Sequence, residues 1–171
     1  MKTVPKAPNY WLMKSEPESY GIDHLKYDKK TAWTGVRNFQ ARNYMQKDMR
    51  VGDIILFYHS SCKEPGVYGL AKVVTESYPD PTQFDSQGHY FEPRATKAKP
   101  IWYLVDIAYV ETFKRPVLLP ELRSNPQFAR MMLLQPGSRL SITPVDSAHA
   151  EEIIRLAISI SYSRTKEDRI S

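Results

Sequence analysis

Apolar, β-branched and aromatic residues gather in five stretches, 9–14, 53–59, 68–75, 102–113 and 139–143, with turn formers at most of their ends. That pattern predicts five main strands. Short helices are predicted between them at 22–27, 39–46, 120–123 and 127–132. The clearest helical stripe comes last: Ala150, Ile153, Ile154, Ala157 and Ile158 repeat at a spacing of about 3.6 behind a cap at Asp146 or Ser147. This helix is expected to close the core. Residues 78–100 form a long connection with little periodic signal beyond Phe84, Tyr90 and Phe91, and connections of that length inside a small domain are functional or mobile. Strands interleaved with short helices, without regular βαβ alternation, predict an α+β fold or a small barrel with helices packed on it.

The chain has 171 residues, 42% of them hydrophobic, which suits one domain with one real core. Residues 1–8 read as an N-terminal extension, 9–158 as the domain and 159–171 as a polar, frayed tail. With 24 Lys and Arg against 19 Asp and Glu, the net charge of +5 permits a phosphate-attracting patch but equally an ordinary soluble surface. A single cysteine, Cys62, excludes an internal disulfide framework, and no apolar region follows the first lysines, so a cytoplasmic protein is expected, or a nuclear one in a eukaryote. No stretch approaches the roughly 20 apolar residues of a membrane span.

Four features carry candidate chemistry. Trp11, Trp33 and Trp102 are large rings in a small chain; Trp11 and Trp102 sit within predicted strands and read as core, whereas Trp33, beside Gly35 in a non-helical segment, reads as the lining of a pocket. At Lys14-Ser15-Glu16-Pro17 a strand breaks into a turn whose hydroxyl and free backbone N–H groups suit the reading of a ring's polar edge, or simply form a Ser-capped turn. Asn38 caps a helix that leaves Arg37 and Arg42 outside, where they can meet phosphates or stay solvated. Finally, Tyr58 and Ser60 alternate to one side of a strand with His59 opposite. His59 and Cys62 have the spacing of half a zinc site, but His24, His89 and His149 stand apart and no second cysteine exists, so no metal and no Cys-His nucleophile are expected.

In order along the chain, Tyr-Trp-Leu-Met-Lys-Ser-Glu-Pro at 10–17, Trp-Thr-Gly-Val-Arg-Asn-Phe-Gln-Ala-Arg-Asn at 33–43, Val-Gly-Asp at 51–53, Phe-Tyr-His-Ser-Ser-Cys at 57–62, Tyr-Pro-Asp-Pro-Thr at 78–82 and Ser-Arg-Leu-Ser-Ile-Thr-Pro-Val at 138–145 resemble the EVE domain. The resemblance covers nearly the whole chain and is nearer to bacterial members of that family. It implies a PUA-like fold, a small mixed β-barrel of about five to six strands with short helices packed across it. It also implies a reader that holds a flipped, modified base, 5-methyl- or 5-hydroxymethylcytosine in DNA or a modified base in RNA, with no cofactor and, by default, as a monomer.

Carried over by motif, the resemblance assigns Lys14, Ser15 and Trp33 to the base pocket. Val36 and Asn38 are added as wall and edge reader, with Tyr58, His59 and Ser60 at the rim. Trp102, Arg139 and Ser141 belong to motif-matched strands that can reach the same cavity, the core remaining the alternative for Trp102 and Ser141. Arg37 and Arg42 are expected to hold the phosphodiester chain. The residue opposite Trp33 is not legible. Two rival classes are an RNA-processing or nucleotide-acting enzyme using Lys14, Glu16, Tyr58 and His59, and a small-molecule sensor.

Overall fold

The structure, a computed structural model, describes residues 7–167 and the side chains of 7–158, so positions 1–6 of the predicted extension and 168–171 of the tail lie outside the described residues. Its centre is a six-stranded mixed sheet built from β1 (Tyr10–Ser15), β2 (Lys30–Ala32), β3 (Ile54–His59), β4 (Gly66–Val73), β7 (Asp106–Leu118) and β8 (Ile142–Val145). The strand order is β2-β7-β4-β3-β1-β8, and a separate pair joins β5 (Tyr78–Pro79) to β6 (Tyr103–Leu104). The sheet curls into a half-barrel, as the α+β expectation requires. β1 and β3 run parallel, with Ser15 opposite His59, while β1 pairs antiparallel with β8 on its other edge.

Period-two alternation sends side chains to two cores, one on each face. Trp11, Met13, Ile55 and Phe57 bury on one face under α2 (Ile22–Asp28) and α3 (Phe39–Asn43), through Ile22, Leu25, Ala41 and, just beyond α3, Met45. Their neighbours Leu12, Leu56 and Tyr58 bury on the other face. There they meet Leu122 of α4 (Leu119–Ser124) and Ala150, Ile153 and Ala157 of α5 (Ser147–Glu167). The predicted closing helix therefore forms. Ile158, counted in its stripe, lies at the rim and is exposed. The backbone of α5 also continues beyond position 158, because no Gly or Pro stands in its path.

The remaining differences from prediction are local. The segment 102–113 divides into β6 and β7, and β7 extends to Leu118 through Pro116. The helix expected at 39–46 gives way after Asn43 to a wider π turn, Tyr44–Asp48, and 127–132 holds only single 3-10 turns. Short elements at Lys30–Ala32, Tyr78–Pro79 and the one-turn α1 (Pro17–Tyr20) carry too few residues for a periodic signal.

Buried Asp53 fastens the entry to β1 and β3. Its carboxylate accepts hydrogen bonds from Trp11 Nε1 (3.0 Å), the Asn9 N–H (3.0 Å) and the Arg50 N–H (2.9 Å). Asp53→Ala strands these donors and is expected to lower the unfolding free energy by roughly 3 kcal/mol, with Asp53→Asn costing less. Urea denaturation of the three proteins measures the order.

Candidate functional site

At the C-terminal end of β1 the chain opens a cavity of about 480 Å³. Lys14, Ser15 and Glu16 bring the strand end to it, Tyr20 the end of α1, Thr31 and Ala32 strand β2, and Trp33 to Arg37 the segment that follows. Ser141 and Tyr90 complete the lining. Six of the thirteen predicted site residues thus meet at one hollow: Lys14, Ser15, Trp33, Val36, Arg37 and Ser141.

Their placement follows from backbone pairing. The Lys14 N–H donates to the Ser141 carbonyl at 2.8 Å, drawing the loop before β8 against the strand end. Ser15 Oγ donates to the Tyr20 carbonyl at 2.6 Å, which commits its proton and leaves its lone pairs to accept from a ligand. Trp33 is anchored by its N–H on the Val105 carbonyl (3.0 Å), and its half-buried indole stands edge-on to Phe57 with ring centres 5.8 Å apart. Its Nε1 meets no acceptor among the described residues. Burial pushes the Lys14 amine below its ordinary pKa, and no carboxylate lies within ion-pair distance of it among the described residues.

Tyr90, from the long connection, lines the same cavity as Trp33. Arg37 holds it there. This guanidinium donates through Nη1 to Asp80 Oδ2 (3.0 Å) and the Val36 carbonyl (3.1 Å), and through Nη2 to Thr82 Oγ1 (3.1 Å) and the Tyr90 carbonyl (2.7 Å). Both terminal nitrogens are therefore saturated by the protein itself, and the expected phosphate role gives way to a bracing one. Asp80, 1% exposed, also accepts from the Gly35 N–H at 2.9 Å and from Thr82. Burial works to raise its pKa, and the hydrogen bonds from Thr82, Gly35 and Arg37 together outweigh it and hold the carboxyl low. At its other end the connection is pinned by buried Gln83, which donates to the Asp80 and Trp102 carbonyls and accepts from the Ile101 and Trp102 N–H groups. A sequence signal for Tyr90 existed: an aromatic pair, Tyr90 and Phe91, in an otherwise aperiodic loop.

The other predicted residues lie elsewhere. Asn38 Oδ1 accepts from the Ala41 N–H and caps α3, and Asn38 does not line the cavity. Tyr58 faces the second core, where burial raises its phenol to about 12. Ser60 and Arg139 do not line the cavity, and Arg139 is exposed. Trp102 is buried outside it, stacked on Phe39 with ring centres 4.9 Å apart. Arg42 donates to the Ile101 carbonyl and to Asn43 Oδ1, which fixes its guanidinium while each terminal nitrogen keeps one N–H uncommitted. His59 supports the site from behind: Nε2 accepts from the Ile22 N–H at 3.1 Å, and the ring stacks on Tyr68 at 4.1 Å. No group of three or more His, Cys, Asp or Glu able to hold a metal occurs among the described residues, nor does a helix long and apolar enough to cross a membrane.

A curled mixed sheet covered on both faces, with a ring-walled hollow at the end of its first strand, defines a PUA-like domain. The chain belongs to the EVE domain family, whose model matches residues 9–156. It is 40% identical over 166 residues to thymocyte nuclear protein 1 of Homo sapiens, spanning 86% of this chain and 73% of that protein. A solved structure of a hypothetical protein from Leishmania major matches with a TM-score of 0.85 at 43% identity, over 91% of this chain and 98% of its own. The human THYN1 protein in complex with DNA containing 5-methylcytosine matches with a TM-score of 0.82 at 38% identity, over 88% and 98%.

Gly35 combines a φ of +85° with a Tyr90 ring only 2.7 Å from where a Cβ would stand. Gly35→Ala is therefore expected to cost roughly 1–3 kcal/mol and to displace Tyr90, which thermal unfolding and Tyr90 side-chain NMR shifts would show. For His59, burial lowers the pKa from 6.5 against the opposing pull of Asp23. The neutral ring belongs to the folded state, so its contribution is whole above pH 6.5 and is lost as pH falls from there through the folded-state value. His59→Gln is expected to flatten that part of the stability slope between pH 7.5 and 5, measured by urea midpoints.

Proposed function

We propose that this chain reads DNA by holding one modified cytosine, swung out of its stack, between Trp33 and Tyr90. The observation that carries the reading is the pair of aromatic walls on a solvent-open cavity of about 480 Å³, at a strand end rimmed by short polar groups. The complex of human THYN1 with 5-methylcytosine DNA supports it. A base stacked on an aromatic ring gains about 1–3 kcal/mol, comparable with the few kcal/mol needed to extract it. Ser15 Oγ, with its proton committed to Tyr20, accepts from the exocyclic amino group that cytosine presents. Lys14, a cation without a protein carboxylate, faces a base carbonyl or the adjacent phosphate. Exposed Arg139, two residues before Ser141, takes the phosphate role that Arg37, braced on Asp80 and the Tyr90 carbonyl, does not fill.

Binding alone is required; no bond in the DNA is broken. The 5-methyl group buries little area and contributes on the order of 1 kcal/mol, a preference of several-fold over cytosine. Trp33→Ala is expected to weaken binding to a methylated oligonucleotide by about 10-fold or more. Arg139→Ala is expected to weaken methylated and plain strands alike and to flatten the salt dependence. Fluorescence anisotropy at two ionic strengths, with cytosine, 5-methyl- and 5-hydroxymethylcytosine in single and double strands of DNA and RNA, tests the reading. Unchanged affinity in Trp33→Ala overturns it, and a chemically altered oligonucleotide in the mass spectrum replaces it with an enzymatic one.

A further inference from the structure

Phe39 opens α3 three residues beyond the cavity wall at Val36, and 51% of it is exposed. Half-exposed apolar side chains are ordinary when isolated, but this one is braced. Its inner face stacks on Trp102 with ring centres 4.9 Å apart and planes 22° from parallel. Trp102 is itself buried, and its N–H and carbonyl groups are tied to Gln83. The Arg42 guanidinium lies 4.7 Å from the Phe39 ring centre and 5.9 Å from that of Trp102. The Arg42 guanidinium thus packs over the Phe39 ring, and the rest of that side chain stays exposed to solvent. The group is continuous with the cavity through Arg37, whose guanidinium is 5.3 Å from the ring centres of both Trp102 and Tyr90.

Resting on the base-pocket reading, we propose that Phe39 is a wedge: its exposed side enters the duplex where the extracted base leaves a gap and packs there. An extended chain of three residues spans at most about 11 Å, so the wedge lies within roughly one major-groove width of the cavity wall at Val36. Apolar side chains inserted at a base step offset the cost of unstacking. A rigidly backed ring does this without losing side-chain freedom on binding, and Phe39 is backed in that way. Arg42, fixed beside the ring by Ile101 and Asn43, adds positive charge at the point of entry.

The test compares wild-type protein, Phe39→Ala and Phe39→Leu on one 5-methylcytosine oligonucleotide, single-stranded and as a duplex. Phe39→Ala is expected to weaken duplex binding by about 10-fold and to leave single-strand binding unchanged, since a single strand has no gap to fill. Phe39→Leu keeps the packing on Trp102, guards against misfolding of the smaller variant, and is expected to show the same pattern more weakly. A mismatch opposite the methylated base, which lowers the cost of extraction, is expected to shrink the penalty of Phe39→Ala. Equal losses on both substrates, or none on the duplex, overturn the wedge alone. Failure of the wild-type protein to prefer the methylated single strand over the plain one overturns the pocket reading and the wedge with it.

Discussion

The buried carboxylate of Asp80 is the tie on which the candidate site depends. It binds the segment that carries Trp33, through Gly35 and Arg37, to the start of the connection that carries Tyr90, through Thr82. Without that node the two walls belong to unrelated parts of the chain, more than fifty positions apart. A carboxylate so enclosed is strongly unfavourable unless its lone pairs are filled, and here each oxygen receives more than one donor. The arrangement explains why an arginine beside a nucleobase-sized hollow points its terminal nitrogens inward. Its charge neutralises Asp80, and its fork fixes the Tyr90 carbonyl.

Much of the fold was legible because its signals are local. Runs of apolar and aromatic residues along 9–14 and 53–59 marked β1 and β3, which are buried on both faces, and the stripe from Ala150 to Ala157 marked α5, since burial on one face of a helix writes a period into the sequence. Elements of two to four residues, such as β2 and β5, write none, and their existence depends on partners distant in sequence. The site divides the same way. Lys14, Ser15 and Trp33 were found because a strand end and a Trp-Gly step are local events. Tyr90 was not placed, because its position depends on hydrogen bonds to Arg37 and on the stitching of residues 80–102 by Gln83. Sequence likewise marked Arg37 and Arg42 as cations, yet not that protein carbonyls and carboxylates had already claimed them.

This division alters the electrostatic picture of the surface. A count of arginines near the motif suggests a phosphate clamp at the start of α3, whereas among the described residues Lys14, which lines the cavity, and exposed Arg139, two positions before Ser141, have no carboxylate partner. On the proposed reading these two add an attraction for phosphate on the β1–β8 side of the hollow, while towards α3 stand the rings of Tyr90, Trp102 and Phe39 beside the guanidiniums of Arg37 and Arg42.

On the proposed reading, selectivity for a modified base has to come from shape. The hollow is open and larger than one pyrimidine, so contact with a methyl group contributes no more than about 1 kcal/mol, and stacking on Trp33 serves modified and plain bases alike. Discrimination beyond several-fold requires a wall that cannot withdraw when the wrong base is present. Tyr90 meets that condition better than a loop residue normally does. Its backbone is held by Arg37, its ring rests where Gly35 lacks a side chain, and its loop is stitched at the base by Gln83. The loop that carries no regular secondary structure is thus among the most firmly determined parts of the site, and its rigidity is what can turn a small contact into a preference.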